Sequence, residues 1–255
     1  MKLRNCMLAL AAGSLMVSAS TAVADNHESD DYMLNMTIID VKPGHMRPFR
    51  EGMTAYNACY SENGGERSWS VWNNVTGSGD YYYMVSRMDA YAEMDEQNAA
   101  TMACWSIIEE QVAPHVIEVE SKITKRMGAW SAANQDVDVV ELHHFRVAEN
   151  SDFRAAVGAI TAILSEAEYE HQGVWYEHLH NSSGQPDYFV VESYDNFAAM
   201  DEERSGAYRA VADAEGEERA DELWADFRAS LTDDWAYRNE VLRRVPSLAM
   251  TQGDD

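Results

Sequence analysis

The sequence repeats itself once at domain length. The segment DAYAEMDE, which begins at Asp89, returns as DNFAAMDE at Asp195. Solenoid units recur every 20 to 50 residues or so, whereas this period is about 105 residues, so the pattern indicates a duplicated domain. Three shorter matches keep nearly the same offset: Phe49-Arg50 with Phe153-Arg154, Ser70-Val71-Trp72 with Val174-Trp175-Tyr176, and Asp80-Tyr81-Tyr82 with Asp187-Tyr188-Phe189. A fourth match, of Lys125-Arg126-Met127 with Arg243-Arg244-Val245, lies near the ends of the two repeats.

The first 24 residues are typical of a secretory signal. Lys2 and Arg4 precede an apolar run from Met7 to Val17, and Ala22-Val23-Ala24 provides small residues at the positions that a signal peptidase reads. An uncleaved membrane anchor is the alternative, but the run is shorter than the ~20 residues that span a bilayer. We therefore expect cleavage after Ala24 and a periplasmic or secreted protein without a membrane span.

The composition is strongly acidic. Removal of Lys2 and Arg4 leaves 17 of the 19 basic residues against 44 acidic ones, and takes the formal charge from −25 to −27. Such a surface repels phosphate backbones, which excludes nucleic acid as a partner and disfavours anionic membranes. The charge serves either to solvate the surface or to dock a cationic partner.

Two cysteines remain after the predicted cleavage, Cys59 and Cys104, and both lie in the first repeat. An oxidising compartment permits a disulfide bond between them. The sequence does not tell whether their Cα atoms come close enough, so both states stay open.

Each repeat is predicted to have the element order βαββαβ. In the first repeat, residues 33–41 read as a strand, and Phe49, Met53, Tyr56 and Tyr60 form the apolar stripe of the following helix. The predicted divisions are a signal peptide (1–24), a flexible N-terminus (25–31), repeat one (32–128), a linker (129–136), repeat two with an expanded acidic helical region (137–248) and a tail (249–255).

The segment IIDVKPGHMRPF, residues 38–49, resembles the strand, Lys-Pro-Gly turn and helix start of the dimeric α+β barrel superfamily, which includes antibiotic-biosynthesis monooxygenase-like and NIPSNAP-like families. The resemblance implies an α+β fold in which two tandem ferredoxin-like repeats close into one barrel. Here both repeats belong to one chain, so a monomer is possible. The second repeat lacks the Lys-Pro-Gly turn, and its assignment rests on its similarity to the first.

Strand alternation sorts the side chains by face. We place the apolar pairs Met36/Ile38 and Val140/Leu142 beneath the helices. The other face of the second repeat then directs six polar or aromatic side chains into the barrel: Glu141, His143, Tyr176, His178, His180 and Glu192. Trp72 and Tyr83 of the first repeat are predicted to face them. His144 is predicted to lie on the covered face, and His45 and His171 to be structural.

These residues suggest three kinds of chemistry. Imidazoles with a carboxylate bind transition metals, a single imidazole can ligate haem iron, and a His/Glu pair can deprotonate a phenol. We predict catalytic roles for Glu141, His143, His178 and Glu192, and ligand contacts for Trp72, Tyr83, Tyr176 and His180. A purely structural hydrogen-bond network is the alternative. No motif requires a particular cofactor, so haem and a transition metal both stay open.

Three functions are compatible with these features. The first is an exported, oxygenase-like enzyme that acts on a small aromatic or apolar molecule in the barrel cavity. The second is a binding protein without catalysis that uses the same cavity. The third is an interaction module in which the acidic helix around residues 215–226 docks a partner.

Overall fold

The structure is a computed structural model that describes residues 31–182, 184–233 and 237–251. Within those residues, eight strands form one closed antiparallel barrel. The predicted signal peptide and most of the predicted N-terminus and tail lie outside the described residues. The fold is α+β, and the barrel closes within one chain, as the resemblance implies.

Each half of the barrel comes from one half of the chain. The strand order is β1-β3-β2-β8-β5-β7-β6-β4, and β4 pairs with β1 to close the ring. The two halves meet where β2 pairs with β8 and β4 pairs with β6. The strands are β1 Met33–Val41, β2 Ser70–Asn74, β3 Asp80–Met88, β4 Val116–Arg126, β5 Val139–Phe145, β6 Val174–Leu179, β7 Tyr188–Tyr194 and β8 Tyr237–Arg244.

The helices lie on the outside of the barrel wall. The apolar stripe of α1 packs against Ile39, Val41 and Tyr82 in one buried cluster. Burial of each large side chain of this kind stabilises the fold by about 1.5–3 kcal/mol. The helices are α1 Met46–Glu62, α2 Ala99–Ala103, α3 Trp105–Ile107, α4 Asn150–Glu166, α5 Ala207–Glu215 and α6 Glu217–Ala229.

The second half carries the larger helical cover. Phe153 and Val157 of α4 pack against Phe145 of β5 and Tyr188 of β7. The helices α5 and α6 then pack onto the far side of α4 through a separate apolar cluster that contains Leu223. None of the helices in the described ranges has the length and apolar character needed to cross a membrane.

Cys59 and Cys104 form a disulfide bond, which resolves the alternative left open by the sequence. Cys59 lies on α1, and Cys104 follows α2 directly. Their Cα atoms are 5.9 Å apart, within the usual range for a disulfide. The bond therefore anchors the irregular helical region of the first half to α1.

Both faces of β1 and of β5 pack in buried clusters, and this overturns the face assignment for these two strands. Residues paired across neighbouring strands share a face. Ile38 pairs with Tyr83 and lies on the lumen side, whereas Ile39 pairs with Tyr82 beneath α1. An apolar pair such as Met36 and Ile38 marks the helix-covered face only when the other face is solvated. In this closed barrel apolar residues also line much of the lumen, and these two pairs are among them.

Candidate functional site

The barrel lumen contains two adjoining cavities. We call the first, of about 270 Å³, the apolar chamber; Leu34, Trp72, Val140, Tyr176 and Phe189 are among its walls. The second, of about 380 Å³, is the polar chamber; its walls include Asn74, Lys122, His144, His178 and Glu240. Met36, Tyr83 and Leu142 line both chambers and form the boundary between them.

Aromatic rings shape the apolar chamber. Tyr176 stacks on Phe189 with ring centroids 4.9 Å apart and an interplanar angle of 13°. Burial raises the pKa of Tyr176, so its hydroxyl stays protonated, and it hydrogen-bonds to the Tyr32 hydroxyl at 3.2 Å. Flat surfaces of this kind suit a flat apolar ligand that carries one or two polar groups.

Glu240 connects two residues of the polar chamber. The Tyr83 hydroxyl donates to Oε2 of Glu240 at 2.8 Å, and His144 Nε2 lies 2.9 Å from Oε1. Because a carboxylate only accepts, Nε2 of His144 is the protonated nitrogen and Nδ1 is the acceptor in the neutral ring. Burial, together with the charge of Glu240, raises the pKa of Tyr83, so this hydroxyl remains a donor.

His178 is the most unusual residue of the lumen. Its side chain is buried in the wall of the polar chamber at 7 % exposure, and no described residue hydrogen-bonds to either ring nitrogen. Burial, with smaller contributions from Lys122 and His144, lowers its pKa from 6.5 to about 3, so the ring is neutral at physiological pH. A buried polar group without a partner costs about 1–3 kcal/mol, which a bound molecule can offset.

A second polar cluster lies on the opposite, helix-covered face of the second half. His143 Nε2 is 3.8 Å from Glu141 Oε2 and 3.6 Å from Glu192 Oε1. Burial acts to raise the pKa of Glu192, but His143, the Tyr194 hydroxyl and Arg204 outweigh burial and hold that pKa below its usual value. Glu192 also lines a cavity of about 400 Å³ under the helices, which we call the helix-side cavity.

Comparison with known proteins identifies the architecture. No family model and no curated protein sequence matches the chain. Among solved structures, a "putative monooxygenase" from Lactobacillus acidophilus NCFM superposes over 88% of this chain and 98% of its own, with 12% identity and a TM-score of 0.51. An anthrone oxidase-like protein covers 85% and 92%, with 12% identity and a TM-score of 0.50.

The chain has the dimeric α+β barrel fold. At 12% identity the likeness concerns the fold alone, because one fold carries many unrelated functions.

The barrel brings together four of the eight predicted site residues in its lumen. Trp72, Tyr83, Tyr176 and His178 line the two chambers, on the faces that strand alternation predicts. Their roles in binding or catalysis stay predictions.

The placement of Glu141, His143 and Glu192 in the lumen was wrong. His143 pairs across the strands with Val190, which packs beneath α4, and Glu141 pairs with Glu192 on the same outer face. The three side chains do converge, but the barrel wall separates them from Tyr176 and His178. The error follows from the reversed faces of β5 and β7.

The predicted position of His180 was also wrong. β6 ends at Leu179, and His180 adopts a left-handed backbone conformation with φ of 62°. This turn ends the strand alternation and directs the exposed ring to the Tyr91 hydroxyl, 2.9 Å away. His180 therefore does not line either chamber.

Sequence reasoning missed His144 and Glu240. His144 was predicted to lie under the helices but lines the polar chamber, since it shares a face with Leu142. Glu240 lies on β8, two residues before the buried Leu242. Alternation from Leu242 would have placed Glu240 in the lumen had bounds been predicted for the last strand of the second repeat.

Proposed function

We propose that this barrel binds a small, flat, mainly apolar molecule in its lumen and removes a proton from it, in an oxygenase-like reaction. The observation that carries the proposal is His178, a buried neutral imidazole without a described hydrogen-bond partner that faces the polar chamber. A hydroxyl or carbonyl on the ligand would complete its hydrogen bonding, while the apolar chamber would hold the ring system.

The proton acceptor in this proposal is His144. Its Nδ1 is buried without a described hydrogen-bond partner, and its Nε2 is held by Glu240. When Nδ1 accepts a proton from a ligand hydroxyl, the Glu240 carboxylate stabilises the resulting imidazolium. His178 donates its ring N–H to the oxygen that loses the proton. The product is an electron-rich phenolate or enolate, the form in which such molecules react with dioxygen.

The chamber volumes limit the ligand. Small-molecule sites commonly have volumes of about 300–1,000 Å³, and the two chambers measure about 270 and 380 Å³. These volumes suit a molecule of one to three rings. No step of the proposal is assigned to haem.

Binding without turnover is the second candidate function. The apolar chamber favours it, because its stacked rings form a surface for a ligand whether or not a proton is transferred. The two candidates differ in their dependence on His144, which a purely apolar binding site would not need.

We also propose that the protein is exported and that its barrel consists of two ferredoxin-like repeats. The Cys59–Cys104 disulfide supports an oxidising compartment, in agreement with the predicted signal sequence. The matching strand orders β4-β1-β3-β2 and β8-β5-β7-β6 support two ferredoxin-like repeats. We therefore propose a periplasmic or secreted protein that is stable as a monomer and does not bind nucleic acid.

The test uses anthrone and 2-naphthol as probes of flat phenol-type ligands. Binding is followed by tryptophan fluorescence, since Trp72 lines the apolar chamber, and turnover by oxygen consumption. We expect His178→Ala to weaken binding at least tenfold. His144→Ala should abolish turnover with a smaller effect on binding. His45→Ala is the control and should leave binding and turnover unchanged, since His45 is hydrogen-bonded to His115 outside the lumen. Equal behaviour of His45→Ala and His178→Ala would refute the proposal.

A further inference from the structure

The polar cluster on the outer face of the second half has the geometry of a metal site. Glu141 of β5 and Glu192 of β7 lie directly opposite each other, and His143 follows two residues later on the same face. Their side chains are 16%, 41% and 15% exposed, respectively. Two like charges opposite each other on neighbouring strands destabilise a sheet. A cation between them would reverse the sign of that interaction.

The distances fit a shared ion. One donor atom from each of the three side chains lies within 4.8 Å of the other two. The separations of 3.8 and 3.6 Å from His143 Nε2 exceed those of N–H···O hydrogen bonds. Ligand atoms at about 2.1 Å from a tetrahedral ion lie about 3.4 Å apart. The two separations from His143 are therefore within a few tenths of an ångström of those in a tetrahedral site.

Each carboxylate uses one oxygen to accept a hydrogen bond from a neighbouring side chain, and this is not the oxygen nearest to His143. Asn239 Nδ2 donates to Glu141 Oε1 at 2.7 Å, and the Tyr194 hydroxyl donates to Glu192 Oε2 at 3.1 Å. Glu141 Oε2 and Glu192 Oε1 are the oxygens nearest to His143. Outer partners of this kind orient the ligands of metal sites and tune their affinity.

We propose that Glu141, His143 and Glu192 bind one divalent first-row transition-metal ion. The imidazole favours Mn²⁺, Fe²⁺, Co²⁺ or Zn²⁺ over Ca²⁺ and Mg²⁺, which prefer oxygen ligands. Three protein ligands leave at least one coordination position for water or a ligand oxygen. Glu192 borders the helix-side cavity, whose walls include Tyr169, Trp224 and Phe227, so a small molecule bound there would lie beside one of the three proposed ligands.

This site is independent of the proposed lumen chemistry. Its three ligands point away from the lumen, whereas His144 and His178 face it. Metal binding is measured directly, without a lumen ligand, so failure of one proposal leaves the other standing.

The experiment is calorimetric titration of the chelator-treated full protein with Co²⁺ and Zn²⁺, together with the visible absorbance of the Co²⁺ form. We expect one ion per chain. His143→Ala and the nearly isosteric Glu192→Gln should each weaken binding at least 100-fold, and Asn239→Ala about tenfold. His180→Ala, an exposed histidine outside the cluster, should bind as the unaltered protein does.

Near-ultraviolet circular dichroism checks that each variant is folded. If His143→Ala fails to fold, Glu141→Gln and Glu192→Gln carry the test, since they keep the shape of the side chains. Absence of one-to-one binding would overturn the proposal. Metal binding that persists in Glu141→Gln and Glu192→Gln would also overturn the proposal, because the ion would then be bound at another site.

Discussion

His144 of β5 and Phe189 of β7 lie directly opposite each other, with ring centroids 5.7 Å apart. The pair fixes the orientation of both strands, since Phe189 also stacks on Tyr176 in the apolar chamber. Adjacent residues of a strand point to opposite faces. His144 therefore faces the lumen, and His143 faces the helices. This one relationship separates the lumen site from the proposed metal site.

Loss of the Glu240 carboxylate should destabilise the protein. Glu240 accepts hydrogen bonds from Tyr83 and His144 in a half-buried position. In Glu240→Gln an amide NH₂ group replaces one carboxylate oxygen. A donor then lies where Tyr83 or His144 needs an acceptor. Hydrogen bonds to charged groups contribute about 1.5–3 kcal/mol each, so we expect a loss of about 2 kcal/mol in the free energy of unfolding. Urea unfolding measures the change.

Glu222→Gln is the matched control for Glu240→Gln. Glu222 forms an exposed pair with Arg219 on α6 at 3.1 Å. Exposed ion pairs contribute about 0–1 kcal/mol, so this variant should unfold close to the unaltered protein. A Glu240→Gln variant as stable as Glu222→Gln would show that Glu240 does not hold the lumen network together.

The fold was predictable because local patterns in the sequence agree with the final packing. The bounds predicted for the first strand, residues 33–41, match β1, and the stripe of Phe49, Met53 and Tyr60 packs beneath the sheet. The face of each strand was less predictable. In β1 and β5 the apolar side chains occur on both faces, since one face meets helices and the other meets the lumen.

Half of the candidate site depended on pairing that the sequence does not encode locally. Trp72 and Tyr83 face each other across β2 and β3, a hairpin whose register follows from its short turn. Glu240 reaches the lumen only because β8 pairs with both β2 and β5. The polar chamber is formed by contacts of this kind between distant segments, and no short sequence motif predicts them.

Stability should fall in mildly acidic solution because of His178. Its pKa is about 3 in the folded protein and about 6.5 when unfolded. Between these values the unfolded chain binds a proton that the folded protein does not, which favours unfolding. This residue alone should therefore lower the free energy of unfolding by up to about 1.4 kcal/mol per pH unit below pH 6.5.

Comparison with His178→Gln isolates this contribution, since glutamine does not titrate. Unfolding in urea between pH 7 and pH 5 should give a steeper decline for the unaltered protein than for the variant. Parallel declines in the two proteins would contradict the neutral, buried state of His178.

Reduction of the disulfide should destabilise the first half. Cys59 and Cys104 are separated by 45 residues along the chain. Closing a loop of that length lowers the entropy of the unfolded chain, which corresponds to about 4 kcal/mol in the chain-entropy treatment. The double variant Cys59→Ser/Cys104→Ser should unfold at a clearly lower temperature. A thiol titration of the oxidised protein should find neither cysteine free, and a reagent that labels both would contradict the bond.

The contact between α1 and the irregular helical segment that follows α3 should not tolerate an added methyl group. A Cβ at Gly52 would lie 2.5 Å from the carbonyl oxygen of Gln111 and 3.1 Å from a methyl group of Val112. The backbone would have to shift, and overpacking of this kind costs about 1–3 kcal/mol. Gly206→Ala is the control, since a Cβ there meets no atom within 4 Å and its φ of −69° suits alanine. Thermal unfolding should show a lower midpoint for Gly52→Ala alone. Equal midpoints for the two variants would mean that α1 and this segment are not packed as closely as the structure has them.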